Sequence, residues 1–467
     1  MSAPLVCEPV SPALTVPAAL RALQDWSGLI LFDSALPGSR FSEWSFLTAR
    51  PYETIVLDDP AYGIDPFARL RERFPATEAN TRDATDPPFQ GGAAGLLSYE
   101  LGRCFERLPC PQHDEFALPA AWIGLYDWTL AWKMATGECW FLANARDGES
   151  SHQAETRASE LRREIKLALS RPSSQKLARS EKRLELSPSG FLLDEATGLR
   201  SNFDERGYCE AVQQVIERIF AGDIFQANLS QRLIAPATSS PVEQYLKLRT
   251  VNPAPFAGLL STEDWAVLSS SPERFLQLRN REAFTRPIKG TRQRRKTPEA
   301  DLFTRDELRE SEKDRAENVM IVDLLRNDFS RVCRPGSIRV PELCQVEAYE
   351  TVTHLVSEVR GELRDGMSFW DLLAATFPGG SITGAPKIRA MEIITEVEQV
   401  ARGAYCGSLF YMSQHGHADS SILIRTMTQR DGWLQLPAGG GIVAQSDPKQ
   451  EYEETLHKAR GMLRSLK

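Results

Sequence analysis

Between residues 201 and 467, strand-length apolar runs and helical periodicities follow one another without the strand–helix–strand rhythm that builds a parallel sheet. That pattern argues for an α+β architecture and against a doubly wound nucleotide-binding sheet. Residues 1–145 read differently. From about residue 20 they are rich in Trp, Phe and Gly, and short runs such as Gly28 to Phe32 and Ala121 to Trp132 read as strands cut by Gly and Pro turns. Residues 146–200 form a third segment. Ala154 to Ser170 is predicted to be a solvated helix, and Arg171 to Glu185, rich in Ser, Lys and Arg, a linker.

Composition narrows the class. With 467 residues, 42% hydrophobic and 25% charged, the chain can bury a large core without cross-links. A net charge of -8 argues against a general nucleic-acid binder. The eight cysteines form no CxxC and no zinc-spaced cluster, which suits reduced thiols and a cytoplasmic setting. The first residues lack the positive start of a signal peptide, and no apolar run reaches membrane-spanning length.

Two acidic segments carry the first chemical signal. Ser311 to Asp328 (SEKDRAENVMIVDLLRND) reads as a helix, with Ser311 and Asp314 opening it as a capping box. Asp314 and Glu317, three apart, point to one side. Ser446 to Arg460 reads as a second helix, with Asp447 as N-cap, Pro448 at N1 and Gln450 at N3. Glu451, Glu454 and Lys458 share one of its faces. Solvated first turns would explain either pair alone. Two such helices facing each other could instead hold one Mg²⁺ that keeps waters and borrows substrate oxygens.

Other motifs gain meaning only together. Pro437 to Ile442 (PAGGGI) can offer backbone N–H groups to an anion. Phe377 to Lys387 (FPGGSITGAPK) has P-loop glycine spacing but lacks the following Lys-Ser/Thr, so it reads as a Gly-rich turn into a helix with Pro386 near N1. Lys289 in PIKGT sits in a predicted turn. Solvation is its ordinary fate, and burial beside other cations would make it a nucleophile. His354 alternates with β-branched residues, as a strand histidine does.

Taken in order, SSPERF (Ser270 to Phe275), PIKGT, the 311–328 helix, THLVSEV, FPGGSITGAPK, YCGSLFY (Tyr405 to Tyr411), IRT (Ile424 to Thr426) and PAGGGIVAQSDPKQEYEET resemble the chorismate-utilising enzymes. That family comprises the anthranilate, aminodeoxychorismate, isochorismate and salicylate synthases. LFDS (Leu31 to Ser34) and FQGGAAGLLSYELGR (Phe89 to Arg103) extend the likeness into the N-terminal region. The resemblance implies two packed, mainly antiparallel sheets with surrounding helices, and a chorismate-binding region over 201–467.

It also implies roles. Mg²⁺ would be held chiefly by Glu317 and Glu454, supported by Asp314 and Glu451. Arg425 and Tyr411 would take the enolpyruvyl carboxylate. Thr291, Thr383, Gly384, Gly439, Gly440, Gly441 and Lys458 would complete the substrate site. Glu273 would be the general acid, Lys289 the nucleophile, and His354 a neighbour of the reacting ring.

Lys289 stands where anthranilate and isochorismate synthases usually have Ala and aminodeoxychorismate synthases have Lys. Gln226 stands where isochorismate and salicylate synthases have a general-base lysine. Both positions point to amination of chorismate at C4, on the route to p-aminobenzoate and folate, with anthranilate formation as the alternative. No glutaminase signature is present, so a separate amidotransferase subunit is expected to supply ammonia, and a further enzyme to release pyruvate. The family's tryptophan pocket would be lined by Ser34, Arg40, Phe41, Pro255, Phe256 and Ala257. Asp33 replaces the Glu of feedback-regulated members, which argues against feedback control.

Overall fold

A computed structural model of the chain describes residues 6–10, 14–75, 86–170, 184, 190–294, 297–348 and 352–467. Three sheets form among them, one of twelve strands, one of ten and one of three, and every strand pairing is antiparallel. The predicted linker Arg171 to Glu185 lies, Leu184 apart, outside the described residues. The helix before it runs Ser151–Ser170.

The N-terminal and C-terminal regions interleave rather than stand side by side. Strand Leu29–Asp33 pairs with Phe256–Ser261 in the twelve-stranded sheet. Strand Gly92–Leu97 pairs with Ser408–Ser413 in the ten-stranded one. The two large sheets pack face to face. Alternation along each strand sorts its side chains between the two faces. Leu29 and Leu31 point to a core shared with helices, whereas Ile30 joins Ala94, Leu96, Leu260, Leu409 and Tyr411 between the sheets. On Gly92–Leu97, Ala93 and Leu97 face the other way, toward Ile321, Leu325 and Phe329 of helix Glu312–Ser330. Both large sheets are therefore buried on two faces, which is why their strands read as continuous apolar runs.

The three-stranded sheet joins elements far apart in sequence. Gln226–Gln231 lies between Gly384–Ala385 and Ala438–Ile442. Its close packing needs glycine. A Cβ at Gly439 would fall 2.4 Å from the Leu229 carbonyl oxygen, and one at Gly384 would fall 2.1 Å from that of Gln226. The predicted caps are present. Ser311 accepts from the Asp314 N–H, and Asp447 accepts from the Gln450 N–H with Pro448 beginning the helix. No helix among the described residues is long and apolar enough to cross a membrane.

Candidate active site

Lys289 lies in a strand rather than in the predicted turn. Strand Ile288–Gln293 pairs with Val352–Glu362, and the register slips between Lys289 and Thr291. Gly290 sits at this slip with φ +71°, a bulge that re-aims the preceding side chain. It also lets the start of helix Glu312–Ser330 approach, because a Cβ there would meet Asp314 Cγ at 3.0 Å and Leu308 Cδ1 at 2.8 Å. The same register pairs Thr291 with His354. The Thr291 side chain lies outside the described residues.

The aimed amine meets three elements. Lys289 Nζ donates to the Ser381 carbonyl oxygen at 3.2 Å. It lies toward the glycine strand, 3.7 Å from where a Cβ on Gly441 would be. Desolvation lowers its pKa and Lys458 adds to the effect, while Glu317, Glu273 and Glu454 oppose it. The net direction is down, toward the neutral amine that a nucleophile requires.

Glu273 follows strand Trp265–Ser271 and is buried. Burial pushes its carboxyl up to about 7, against a hydrogen bond from Ser381 Oγ (2.9 Å to Oε1) and the charges of Lys289 and Arg425. Arg425 holds φ 52° in the short link before strand Thr426–Arg430. His354 is buried near it, and desolvation followed by the Arg425 charge brings its pKa down to about 4. His354 is therefore a neutral imidazole at ordinary pH.

The carboxylates form the opposite wall. Glu317 on one helix and Glu451 and Glu454 on helix Pro448–Ser465 feel one another's charge. Desolvation and these neighbours raise Glu317 and Glu451, although Ser446 Oγ donates to Glu451 at 2.7 Å. Glu454, its side chain 53% exposed, is only partly desolvated, and Lys458 Nζ, 2.6 Å away, outweighs that so the pKa falls. Lys458 also donates to the Gly439 carbonyl at 2.9 Å. A Cβ at Gly440 would lie 3.2 Å from Glu451 Oε2 and 3.4 Å from Lys458 Nζ. Asp314 is turned aside into an ion pair with Arg292 at 3.0 Å. Among the described residues no three acidic, His or Cys side chains form a ready-made metal cluster. Carboxylates converging from two helices, with Glu451 raising Glu317 and Glu454 raising Glu451, nevertheless suit a hard divalent ion that takes its remaining oxygens from water and ligand.

Two expected substrate groups are placed elsewhere. Tyr411 is not grouped with Arg425. Its ring packs on Phe32, Phe46 and Phe89 and lines a second cavity. Strand alternation explains this, since Tyr411 and Leu409 face the space between the sheets while Phe410 and Met412 face away. Thr383 is buried with its hydroxyl donating to the Gly379 carbonyl at 3.1 Å, so it shapes the loop from within. Pro386 is the N-cap of helix Lys387–Glu398, and Lys387 pairs with Asp328 at 2.7 Å.

Sequence reasoning missed two members. Ser381 lies inside FPGGSITGAPK, whose glycine spacing drew attention to its ends. Arg402 is fully buried. It donates to Glu398 (2.7 Å), to the Ile382 carbonyl (3.1 Å) and to the Asn228 carbonyl (2.5 Å), fixing the Ser381 loop against strand Gln226–Gln231. Its signal was only the i,i+4 spacing of Glu398 and Arg402, which is common on surfaces.

The second cavity, about 260 Å³, is lined by Ser34, Arg40, Phe41, Pro255, Phe256 and Ala257. Phe41 and Phe256 pack as a tilted pair, centroids 5.8 Å apart and planes at 38°, and the Arg274 guanidinium lies over Phe256 at 4.8 Å. Arg40 at the rim pairs with Glu347. The Asp33 carboxylate is taken up by Tyr245 Oη (2.8 Å) and Arg249 Nε (2.6 Å).

Residues 30–464 match the chorismate binding enzyme family. The chain belongs to that family. It is 42% identical to aminodeoxychorismate synthase component 1 of Salmonella typhimurium over 428 residues, covering 92% of this chain and 87% of that protein. It is 40% identical to anthranilate synthase component 1 1 of Haloarcula marismortui over 447 residues, 96% of this chain and 88% of that one. Among solved structures, anthranilate synthase component I from Streptococcus pneumoniae superposes with a TM-score of 0.75 at 28% identity, covering 91% and 93% of the two chains. The menaquinone-specific isochorismate synthase of Escherichia coli, 16% identical, shares the fold with a TM-score of 0.73 over 99% and 94%.

Proposed function

We propose that this family member aminates chorismate at C4, forming 4-amino-4-deoxychorismate for p-aminobenzoate and folate synthesis, with ammonia from a glutamine-hydrolysing partner subunit. The observation that carries the reading is the desolvated Lys289 amine, held between Glu273 and the carboxylate wall. The 42% identity to a protein named aminodeoxychorismate synthase component 1 supports it.

In this reading Glu317 and Glu454 hold Mg²⁺, with Glu451 in support. When bound, the ion neutralises the ring carboxylate and acts as a Lewis acid that favours loss of the C4 hydroxyl. Arg425 takes the enolpyruvyl carboxylate as a bidentate donor. The N–H groups of the glycine strand and Lys458 add positive potential on that side. Glu273, protonated near neutral pH because it is buried, gives its proton to the C4 hydroxyl, which leaves as water. The neutral Lys289 amine bonds to C2 as the double bonds shift and the C4–O bond breaks. Ammonia then bonds to C4, the double bonds shift back, the C2–N bond breaks, and the lysine amine is regenerated. One difficult displacement becomes two easier ones. His354, uncharged, abuts the ring without competing for its carboxylates. The aromatic cavity between the sheets binds tryptophan.

Incubation with chorismate, Mg²⁺ and ammonium, followed by product analysis, tests the reading. Accumulation of 4-amino-4-deoxychorismate is expected. Anthranilate formed directly, with no lyase added, would reject it in favour of the activity named for the Haloarcula relative.

A further inference from the structure

We infer that Ser381 is a positioning residue that couples the acid to the nucleophile: its hydroxyl donates to Glu273 Oε1 at 2.9 Å while its carbonyl oxygen accepts from Lys289 Nζ at 3.2 Å. The inference rests on the roles proposed above for those two side chains. No other described residue hydrogen-bonds both.

Three features make Ser381 a fixed point. It lies in the 3₁₀ turn Gly380–Ile382. A Cβ at Gly380 would fall 2.5 Å from Leu324 Cδ2, so the turn is seated directly on the helix that carries Glu317. The next residue is held through its carbonyl by the buried Arg402, which is itself locked to Glu398. The turn thus cannot drift away from the acid or the amine without breaking the hydrogen bond that a buried, ion-paired guanidinium donates to the Ile382 carbonyl. A serine here serves two roles at once, since its carbonyl is fixed by the backbone and only its hydroxyl is open to substitution.

The hydroxyl has a definite electrostatic task. The groups facing Glu273 are Lys289 and the Ile288 N–H from the bulged strand, Arg425 from the link after Ile424, Ser381 from the turn, and the buried Cys406 thiol, with neutral His354 beyond Arg425. A hydrogen bond donated to the carboxylate favours its ionised form. Ser381 therefore tempers the effect of burial and keeps the acid from holding its proton too tightly to release it to a departing hydroxyl.

Ser381→Ala removes the hydroxyl and keeps the carbonyl that holds Lys289. Infrared titration of the protonated carboxyl band, assigned by its loss in Glu273→Gln, reads Glu273 without any turnover. The midpoint is expected to rise by about one pH unit in Ser381→Ala, and Ser381→Thr, which restores a hydroxyl, to return it toward the parent. In ammonium-dependent assays the alkaline limb of the kcat/KM profile should move with it, with the chorismate KM little changed. Coincident infrared midpoints for parent and Ser381→Ala would overturn the proposal. Shifted midpoints combined with no 4-amino-4-deoxychorismate from the parent would instead reject the amination reading and leave the Ser381–Glu273 coupling standing.

Discussion

Gly441 faces Lys289 across the site: a Cβ on Gly441 would stand 3.7 Å from Lys289 Nζ and 2.2 Å from Gln226 Nε2. The backbone dihedrals at 441 do not demand glycine, so the requirement is one of space. Gly441→Ala is expected to fold normally but to push the Gln226 amide into the volume the substrate needs. A misplacement of that size should lower kcat/KM by about 10²-fold. The thermal midpoint should stay close to that of the parent, and steady-state assays beside a melting curve would check both.

Lys289→Ala should abolish amination while leaving chorismate bound, because the proposed carboxylate grip belongs to Arg425, the glycine strand and the metal site. Turnover is expected to fall by orders of magnitude, as for loss of a covalent nucleophile. Equilibrium titration with chorismate and Mg²⁺ measures what remains of binding. Parent-rate turnover with ammonium would eliminate the covalent step.

Glu273 sets the pH dependence. An ordinary glutamate has lost its proton by neutral pH, but this one is pushed up to about 7 by burial. It works as an acid, so activity belongs to the protonated form. The rate should hold below about pH 7 on this account and fall about tenfold per unit above it. Glu273→Gln should lose roughly 10²–10⁴-fold and show no such limb. A parent profile flat from pH 6 to 9 would remove Glu273 from the acid role.

The residues that were legible in the sequence are those whose spacing reports local structure. The N-caps at Ser311 and Asp447 follow from local spacing and are present, whereas Asp314, expected to complete a capping box and to share a face with Glu317, pairs with Arg292 instead. Lys289 was identified by resemblance, but its setting was misread. Pro and Gly framing suggested a turn, whereas Gly290 makes a bulge within a strand. The resemblance implies a carboxylate-binding role for Tyr411, and the two-residue alternation of its strand sends it to the other cavity. Ser381 and Arg402 were illegible because their partners lie on other elements, 92 residues away for Ser381 and Lys289 and 174 for Arg402 and Asn228. Such pairings are set by tertiary contact, which a single sequence does not display.

The carboxylate wall predicts a metal requirement with a structural readout. Burial and neighbouring carboxylates leave Glu317 and Glu451 raised, with lysines only partly offsetting this, while Lys458 more than compensates at Glu454. Mg²⁺ should therefore raise the thermal midpoint when a carboxylate ligand such as chorismate is present. Glu454→Gln is expected to weaken Mg²⁺ binding by at least about tenfold, read by calorimetry as well as by the Mg²⁺ dependence of the rate. Unchanged Mg²⁺ affinity in this variant would exclude Glu454 as a ligand.

The cavity between the sheets supplies the last test. Its walls set the aromatic rings of Phe41, Phe256 and Tyr411 beside charged groups of both signs, among them Arg40, Glu43 and Arg274, a make-up that suits a small zwitterion carrying an aromatic ring. Tryptophan at about a hundred times its Kd should stabilise the fold by roughly 2.7 kcal/mol, a shift easily seen by thermal melting. Phe41→Ala removes one ring of the tilted aromatic pair and should weaken binding about tenfold. The Asp33 carboxylate is committed to Tyr245 and Arg249, so it offers nothing to the ligand's ammonium group. Turnover at saturating tryptophan is accordingly expected to match the ligand-free rate. A marked fall would point instead to the rim, where Arg40 pairs with Glu347, the residue in register with His354.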